Sequence, residues 1–541
     1  MGLSRIELVV TRVGLVSLLV FSSAFASGGD KTVSVVVKNP STGAVIGSAS
    51  RTVTVQNVGS CEGSGSGGEY FVLQSAYANG SEGSLFLHEM ELYNQSPLEA
   101  SIRIDWLPRG QNNSVPPLSR VYLVPGQTPI RVANALDEFF GLEPDVAGSL
   151  RITPLSGSVE FSNLVLNTGD VGDFGWVTPA GNVEDGLAQN EEGFIIHLSE
   201  NDDIRSNLAC VNMVDDNLPI VIESFDSFGT LLETQTMILA PLSTNQINRI
   251  FADYAPIDGF IKVSSIKVGS RFFCAGYVLG NLSNDPRQAP LQKGANPEQT
   301  YYLPRAVHGG AGTTDLSLFS PAGGAVVSIA LLPTGQDNTS YLTANFSVPG
   351  GEEIRLPSIL DSVFGYHGTA ALRLDTISGE LVAAASESTA PIGTFIHRSA
   401  SVRPIGEETP SNIQAAIIHL TETPDRRTDI GVANTSGVTI DVTIDLRNNL
   451  GSHLGTHRLQ VLPYSHIQVD SVFSSLGHSE VPDGMARIMT LTPGGSFFAY
   501  AIVTELNTLD SWEMISFPLP FELFSNGFET GDTSAWSDTT P

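Results

Sequence analysis

The chain has 541 residues, with 57 acidic and 27 basic side chains and a formal net charge of −30 at pH 7. This length predicts several domains, and the acidic balance argues against nucleic-acid binding, which needs clustered Lys and Arg. The 53 Gly and 31 Pro residues favour many short strands joined by turns over long helices.

Residues 1–26 have the pattern of a secretory signal peptide. Arg5 and Arg12 precede a short apolar run that ends in an A-x-A cleavage site at 24–26. We therefore expect an exported protein, secreted or at the cell surface. We expect no transmembrane segment in the mature chain, because no later stretch reaches about 18 apolar residues. Residues 27–68 are predicted to form a hairpin followed by a Gly/Ser linker that contains Cys61.

The rest of the chain repeats one sequence plan four times. The clearest marker is a segment of the form apolar–Asp–x–x–Phe, found as LDEFFG, INRIFA, LDSVFG and VDSVFS; its second residues are Asp137, Asn248, Asp361 and Asp470. In each segment we expect one helical turn, with Asp or Asn capping its start and Phe closing the end of the repeat. The predicted repeats span 69–180, 190–292, 299–405 and 412–522, and 523–541 form a tail.

Each repeat of about 110 residues is the size of a domain. Many of its segments alternate apolar and polar residues, as in VTIDL at 442–446, which is typical of strands with one buried face. Turn sequences such as Pro-x-Gly separate the segments. The pattern predicts an all-β fold of four tandem immunoglobulin-like antiparallel β-sandwiches, arranged as a rod or string.

Two related strands carry a histidine: FIIHLSE at 194–200 contains His197, and AIIHLTE at 416–422 contains His419. A metal or catalytic role is one interpretation. By sequence alignment, however, the first and third repeats have Leu73 and Pro304 at this position, so the histidine is not required in every repeat. We therefore interpret both histidines as half-exposed strand residues with a structural role.

No catalytic, cofactor-binding or metal-ligating residues are predicted. The HEMEL segment at 88–92 begins like a zinc-protease motif but has Leu92 where the second His is required. The acidic surface allows weak Ca²⁺ binding, for which no ligand set is predicted. Cys210 and Cys274 fall in predicted core strands of the second repeat. They form either a disulfide or two buried, unbridged thiols.

Several motifs resemble those of a known group of proteins. The third repeat matches best, through TDL at 314–316, LPTGQDN at 332–338, VPGG at 348–351 and DSVFG at 361–365. The chain resembles uncharacterised exported bacterial proteins built from tandem immunoglobulin-like repeats. Its tail is similar to a GFE-x-GD-x-SAWS signature found near the ends of such proteins. The resemblance implies a sorting or attachment role for the matching residues, which are Gly527, Phe528, Glu529, Gly531, Asp532 and Trp536.

Three functions remain open from sequence. The first is a non-enzymatic surface scaffold or adhesion module that contacts partners through loops 108–116 and 333–341. The second is a carbohydrate-binding protein, with Trp106 as the candidate glycan contact. The third is an exported hydrolase whose site is formed between strands or at a domain junction. Nothing in the sequence identifies a protein or glycan partner, or an oligomeric state.

Overall fold

The computed structural model describes the backbone of four strands within residues 6–55 and then residues 68–519, except 81–82, 170–171, 294–298, 311 and 390–395. Contacts divide the chain into two units, one of residues 1–62 with 521–541 and one of residues 63–520. Strands β1 (Ile6–Val9), β2 (Ser17–Ser22), β3 (Gly29–Lys38) and β4 (Val45–Val55) form an antiparallel sheet in the first unit. Cys61 and the predicted attachment residues of the tail lie outside the described residues.

The second unit begins with two sets of strands. The first set is β5 (Tyr70–Asn79), β6 (Leu85–Asn94), β7 (Ala100–Pro108), β8 (Leu118–Val124), β9 (Pro129–Val132), helix α1 (Ala135–Phe140), β10 (Val146–Ser156), β11 (Val159–Gly169), β12 (Gly172–Val177) and β13 (Ala180–Asn182). After the 3₁₀ turn Val183–Asp185, the second set is β14 (Glu192–Glu200), β15 (Ile204–Asn212), β16 (Leu218–Asp226), β17 (Leu231–Leu239), β18 (Thr244–Ile247), the 3₁₀ turn Ala252–Tyr254, β19 (Ile257–Ser264), β20 (Phe272–Gly280), β21 (Pro286–Pro290) and β22 (Gln292–Lys293).

Two further sets complete this unit. The third is β23 (Thr300–Gly309), β24 (Gly312–Phe319), β25 (Ala325–Pro333), β26 (Leu342–Val348), β27 (Glu353–Leu356), helix α2 (Ile359–Phe364), β28 (Gly368–Ser378), β29 (Val382–Thr389), β30 (Ile396–Ala400) and β31 (Arg403–Pro404). The fourth is β32 (Thr409–Pro410), β33 (Gln414–Glu422), β34 (Arg426–Asn434), β35 (Ile440–Asn448), β36 (His453–Val461), β37 (His466–Val469), the 3₁₀ turn Ser474–Leu476, β38 (Val481–Thr490), β39 (Ser496–Glu505), β40 (Ser511–Ile515) and β41 (Phe517–Pro518).

One strand order recurs in all four sets. The second set has a five-stranded sheet β17-β16-β19-β14-β22 and a four-stranded sheet β18-β15-β20-β21. The first set has β8-β7-β10-β5-β13 and β9-β6-β11-β12, joined at one end by pairing of β5 with β6. The third has β26-β25-β28-β23-β31 and β27-β24-β29-β30, joined in the same way by β23 and β24. The fourth has β36-β35-β38-β33-β41 and β37-β34-β39-β40, with β32 also paired with β39. The predicted all-β fold of antiparallel sheets is therefore confirmed. The repeat boundaries drawn from sequence stay a prediction, because contacts keep residues 63–520 as one unit.

Each pair of sheets encloses its own apolar core, and we call each pair a sandwich. In the second sandwich Ile195 and Ile261 of the five-stranded sheet pack with Leu208 and Cys274 of the four-stranded sheet, all fully buried. The Phe of the apolar–Asp–x–x–Phe segment is fully buried in the second and fourth cores, as Phe251 and Phe473, and partly buried against the first and third, as Phe140 and Phe364. The predicted Asp cap is wrong for α1, where Asn134 caps the helix by accepting a hydrogen bond from the backbone of Asp137.

The sandwiches pack head to tail and close into a ring. A second layer of apolar residues lies on the outer side of each core, where the five-stranded sheet of one sandwich meets the four-stranded sheet of the next. Leu73 meets Val211 at the first junction, Phe260 meets Phe319 at the second, and Tyr302 meets Phe498 at the third. At the fourth junction Ile418 of the last sandwich packs with Tyr93 of the first. Head-to-tail contacts form rings when the rotation closes, so the ring replaces the rod or string expected from sequence.

Both faces of the first strand of each sandwich are consequently buried, which explains apolar runs such as FII and AII in place of alternation. Among the described residues, no helix is long and apolar enough to cross a membrane.

Candidate functional site

The centre of the ring is the main candidate site. Strands β12, β21, β30 and β40 come from the four sandwiches in turn, and each contacts the next around the centre. They surround a cavity of about 360 Å³, to which every sandwich contributes lining residues. Cavities of roughly 300–1,000 Å³ with a few converging polar groups are typical of small-ligand sites.

Charged and polar side chains converge on this cavity. Glu160 accepts a hydrogen bond from Gln95 at 2.7 Å, and burial raises the pKa of Glu160 to about 7. Glu513 accepts hydrogen bonds from the backbone and hydroxyl of Ser401, at 2.9 and 2.8 Å, and burial raises its pKa. Arg398 also lines the cavity and is paired with the buried Glu387. The lining of the cavity therefore includes the carboxylates of Glu160 and Glu513 and the guanidinium of Arg398, whose charge is balanced by Glu387.

His197 and His419 are buried at junctions of the ring, so the prediction of half-exposed histidines is wrong. His197 is 4% exposed and His419 is 2% exposed, and each has a φ of 66°. Each lies in an irregularity of its strand pairing, between Ile195 and Leu198 or between Ile417 and Leu420. A bulge of this kind re-aims a side chain. Here it turns the imidazole toward the neighbouring sandwich.

The corresponding bulges of the other sandwiches hold polar residues as well. They lie between Val72 and Ser75 in the first sandwich and between Leu303 and Ala306 in the third. The residues equivalent to the two histidines are therefore Gln74 and Arg305, one position after the Leu73 and Pro304 that sequence alignment matched to them.

His197 links the second sandwich to the third. Its Nδ1 lies 2.6 Å from Ser317 Oγ, and its Nε2 lies 2.8 Å from Ser386 Oγ. Its backbone N–H donates to Glu353 at 3.1 Å, and its carbonyl accepts from Arg287 at 2.6 Å. All four partners are buried, as His197 itself is, so the histidine joins the two sandwiches within the junction.

His419 links the fourth sandwich to the first. Its Nδ1 lies 3.1 Å from Ser162 Oγ, and its Nε2 is hydrogen-bonded to Glu89. Arg131 binds the second oxygen of Glu89 at 2.6 Å and also reaches Thr421 of the fourth sandwich. Burial alone would raise the pKa of Glu89, but the contacts with His419 and Arg131 outweigh burial and hold it at about 2. Glu89 is therefore an ionised, doubly paired carboxylate at this junction.

The chain of Ser162, His419 and Glu89 contains the three groups of a hydrolytic triad, and Ser162 lines the central cavity. In a triad the carboxylate stabilises the imidazolium that forms, but here Arg131 already neutralises Glu89. The equivalent His197 makes the same kind of junction contact, with two serines. We therefore interpret both histidines as junction residues, in line with the structural role inferred from sequence.

The tryptophans are placed differently from the sequence hypothesis. Trp106 is 3% exposed and packs in the core of the first sandwich, so its ring is not available to stack on a sugar. Trp176 and Trp512 instead line the central cavity. Sequence reasoning could not identify them as neighbours, because they belong to the first and fourth sandwiches.

One asparagine of each Pro-x-Gly loop is buried at a junction, while most other residues of loops 108–116 and 333–341 are exposed. Asn113 donates to the carbonyls of Pro108 and Leu242 at 3.0 and 2.9 Å, the second across the first junction. Asn338 makes the matching bonds to Pro333 and Tyr464, both at 3.0 Å, across the third junction. Asn113 and Asn338 thus have a structural role, and the expected contact role of loops 108–116 and 333–341 stays a prediction for their exposed residues.

Cys210 and Cys274 are directly opposite each other on β15 and β20 and are joined by a disulfide. Both are fully buried in the core of the second sandwich. No family model matches this sequence, and no curated protein matches it either.

Proposed function

We propose that this chain is an exported, non-enzymatic scaffold or adhesion protein. The observation that supports the proposal is the row of strands on the free side of the five-stranded sheets. Strands β8, β17, β26 and β36 each end their sheet within the described part of the chain. An unpaired edge strand offers backbone donors and acceptors to another chain.

These edges also carry apolar side chains. Val121 on β8, Ile238 on β17 and Leu342 on β26 are 57%, 67% and 65% exposed. Strand β26 contains no charged residue and no proline, which are the usual means of blocking an edge. Equivalent edges in successive sandwiches favour multivalent attachment, in which several weak contacts add to a stable one.

The test compares two triple variants of the full chain. V121K/I238K/L342K adds charge to three edge strands, while L98K/V268K/L282K adds the same charge to exposed apolar residues in turns. We expect the edge variant to fold normally by circular dichroism and to lose at least tenfold in retention on washed producing cells. The turn variant should be retained like the parent. Equal retention of both variants, or a parent protein found wholly in the medium, would contradict the proposal.

A second candidate is binding of a small glycan in the central cavity. The partly exposed indole of Trp176 shares this cavity with Glu160, Gln288 and Ser399, a combination of stacking and hydrogen-bonding groups suited to sugars. Titration with mono- and disaccharides, followed by tryptophan fluorescence, tests it. A saturable change that is lost in W176F and kept in W106F supports it, and a flat titration rejects it.

A further inference from the structure

Three side chains with metal-binding atoms converge on the surface of the third sandwich. His308 lies near the end of β23, Asp361 lies in α2, and His367 directly precedes β28. His308 Nε2 is 4.0 Å from one oxygen of Asp361, and His367 Nε2 is 3.8 Å from the other. One ligand atom from each residue can be chosen so that all lie within 4.8 Å of one another. Two imidazoles and a carboxylate thus come together: Asp361 and His367 are 6 residues apart, and His308 precedes Asp361 by 53 residues.

His308 is the fixed member of this cluster. Its side chain is only 19% exposed, and its Nδ1 lies 2.7 Å from Ser358 Oγ. The backbone N–H of Ser358 in turn donates to Asp315 at 2.7 Å. In metal sites the second ring nitrogen of a ligating histidine is usually held by such a partner, which fixes the orientation of the ring. The hydrogen bond leaves Nε2 of His308 directed toward the other two groups.

Asp361 and His367 have the freedom to complete the site. Their side chains are 49% and 70% exposed. Tetrahedral Zn²⁺ holds its nitrogen and oxygen ligands at about 2.0–2.1 Å, which places neighbouring ligand atoms about 3.4 Å apart. The separations of 4.0 and 3.8 Å need to shorten by about half an ångström to meet this value, and a pair at the 4.8 Å limit by about 1.4 Å, changes that rotation of the two exposed side chains supplies.

The cluster is not a requirement of the fold. In the third sandwich His308 pairs with the first residue of β28. The residues that pair with the first residues of the equivalent strands β10, β19 and β38 are Tyr77, Glu200 and Glu422. Asp361, by contrast, belongs to the repeated apolar–Asp–x–x–Phe segment. The third sandwich has therefore added histidines beside a carboxylate that the repeat already provides.

We propose that His308, Asp361 and His367 form a binding site for a divalent transition-metal ion, with Zn²⁺ as the ion of choice. Imidazole ligands favour Zn²⁺ and its neighbours in the first transition row over Ca²⁺ or Mg²⁺, which prefer oxygen ligands alone. Three protein ligands leave one coordination position for water or for a group from a bound molecule. This proposal is independent of the scaffold function and does not require it.

The test is calorimetric titration of the full chain with ZnCl₂, together with the visible spectrum of the Co²⁺-loaded protein. All proteins carry C61S, because the third cysteine supplies a thiol that binds zinc strongly. We expect one Zn²⁺ per chain and at least tenfold weaker binding in H308A, D361N and H367A. The matched control is H453A, which removes an exposed histidine that lies 3.0 Å from a single carboxylate, Asp445.

H453A should bind Zn²⁺ like the parent. Because His367 is mostly exposed, H367A keeps the test decisive even if H308A fails to fold. Absence of saturable Zn²⁺ binding by the parent would overturn the proposal. So would unchanged affinity in both H367A and D361N.

Discussion

The imidazole of His419 and the carboxylate of Glu89 form a buried hydrogen bond between the last and the first sandwich. Their sequence separation is 330 residues, and Arg131 holds the same carboxylate from within the first sandwich. This contact stabilises the junction that closes the four consecutive sandwiches into a ring.

Removing the His419 imidazole should lower the free energy of unfolding more than removing the equivalent imidazole of His197. H419A leaves the buried Glu89 with Arg131 as its remaining partner, and losing a hydrogen bond to a charged group costs about 1.5–3 kcal/mol. H197A loses hydrogen bonds to two neutral serines and should cost about 1–2 kcal/mol. Urea denaturation should therefore rank stability as H453A above H197A above H419A, with H453A close to the parent. A smaller loss in H419A than in H197A would show that the Glu89 contact does not hold the ring.

Glu160 should make stability fall as the pH rises through weakly acidic values. Burial raises its pKa in the folded protein to about 7, above the ordinary value near 4.5. The folded chain then binds a proton that the unfolded chain releases between these two values, so stability decreases from about pH 4.5 to about pH 7. E160Q has no charge to bury and should be more stable than the parent above pH 7, by at most about 3 kcal/mol.

Melting temperatures measured from pH 4 to pH 8 check this prediction. The difference between E160Q and the parent should grow across the window and be small at its acidic end. The control is E143Q, because Glu143 is exposed. A difference that does not change with pH would point to packing rather than to proton binding.

The disulfide should provide a large share of the stability of the second sandwich. Cys210 and Cys274 are 64 residues apart in sequence, and a closed loop of this length corresponds to about 4 kcal/mol in the chain-entropy account. The double variant C210A/C274A should lose about this amount in urea denaturation, while C61A should lose almost nothing. Peptide mapping without reductant provides a separate check, because it should recover the two cysteines in one linked fragment.

Asn338 should matter more than its place in a turn suggests. N338A removes two buried hydrogen bonds, one of them to Tyr464 in the next sandwich, and leaves carbonyl groups without that donor. The expected cost is about 2 kcal/mol. Q336A changes an exposed side chain of the same turn and should cost almost nothing. Equal melting temperatures for the two variants would argue that the third junction does not depend on this loop.

The sequence was sufficient to predict the strands, but it did not show which faces of the sandwiches pack against each other. Alternation in VTIDL and the recurring Phe of each repeat follow directly from one buried face and one closed end. The runs around His197 and His419 follow instead from burial on both faces, which depends on a neighbouring sandwich. Its contact residue is 120 residues away for His197 and Ser317 and 330 residues away for His419 and Glu89. For the same reason Trp176 and Trp512 could not be placed together, and His308 could not be matched with His367.

Sequence patterns also predicted the wrong solvent exposure for Asn338 and Trp106. The polar sequence of the LPTGQDN turn predicts solvent exposure, yet Asn338 is 3% exposed, because a neighbouring sandwich supplies the carbonyls that its amide needs. Trp106, at the end of a strand, is likewise covered by its own core. Alternation of apolar and polar residues in a single sequence does not show which residues lie close together across a junction between sandwiches.

Ring closure also removes a problem that linear repeat arrays face. A linear stack leaves two end faces that need polar capping repeats to stay in solution. Here the face that includes Tyr93 would be one end of such a stack and the face that includes Ile418 the other, and both are apolar because they cover each other. Within the described part of residues 68–519, all four sandwiches therefore belong to the ring and none serves as a capping repeat. Ring closure also fixes the number of sandwiches, because adding or deleting one would leave two apolar faces uncovered.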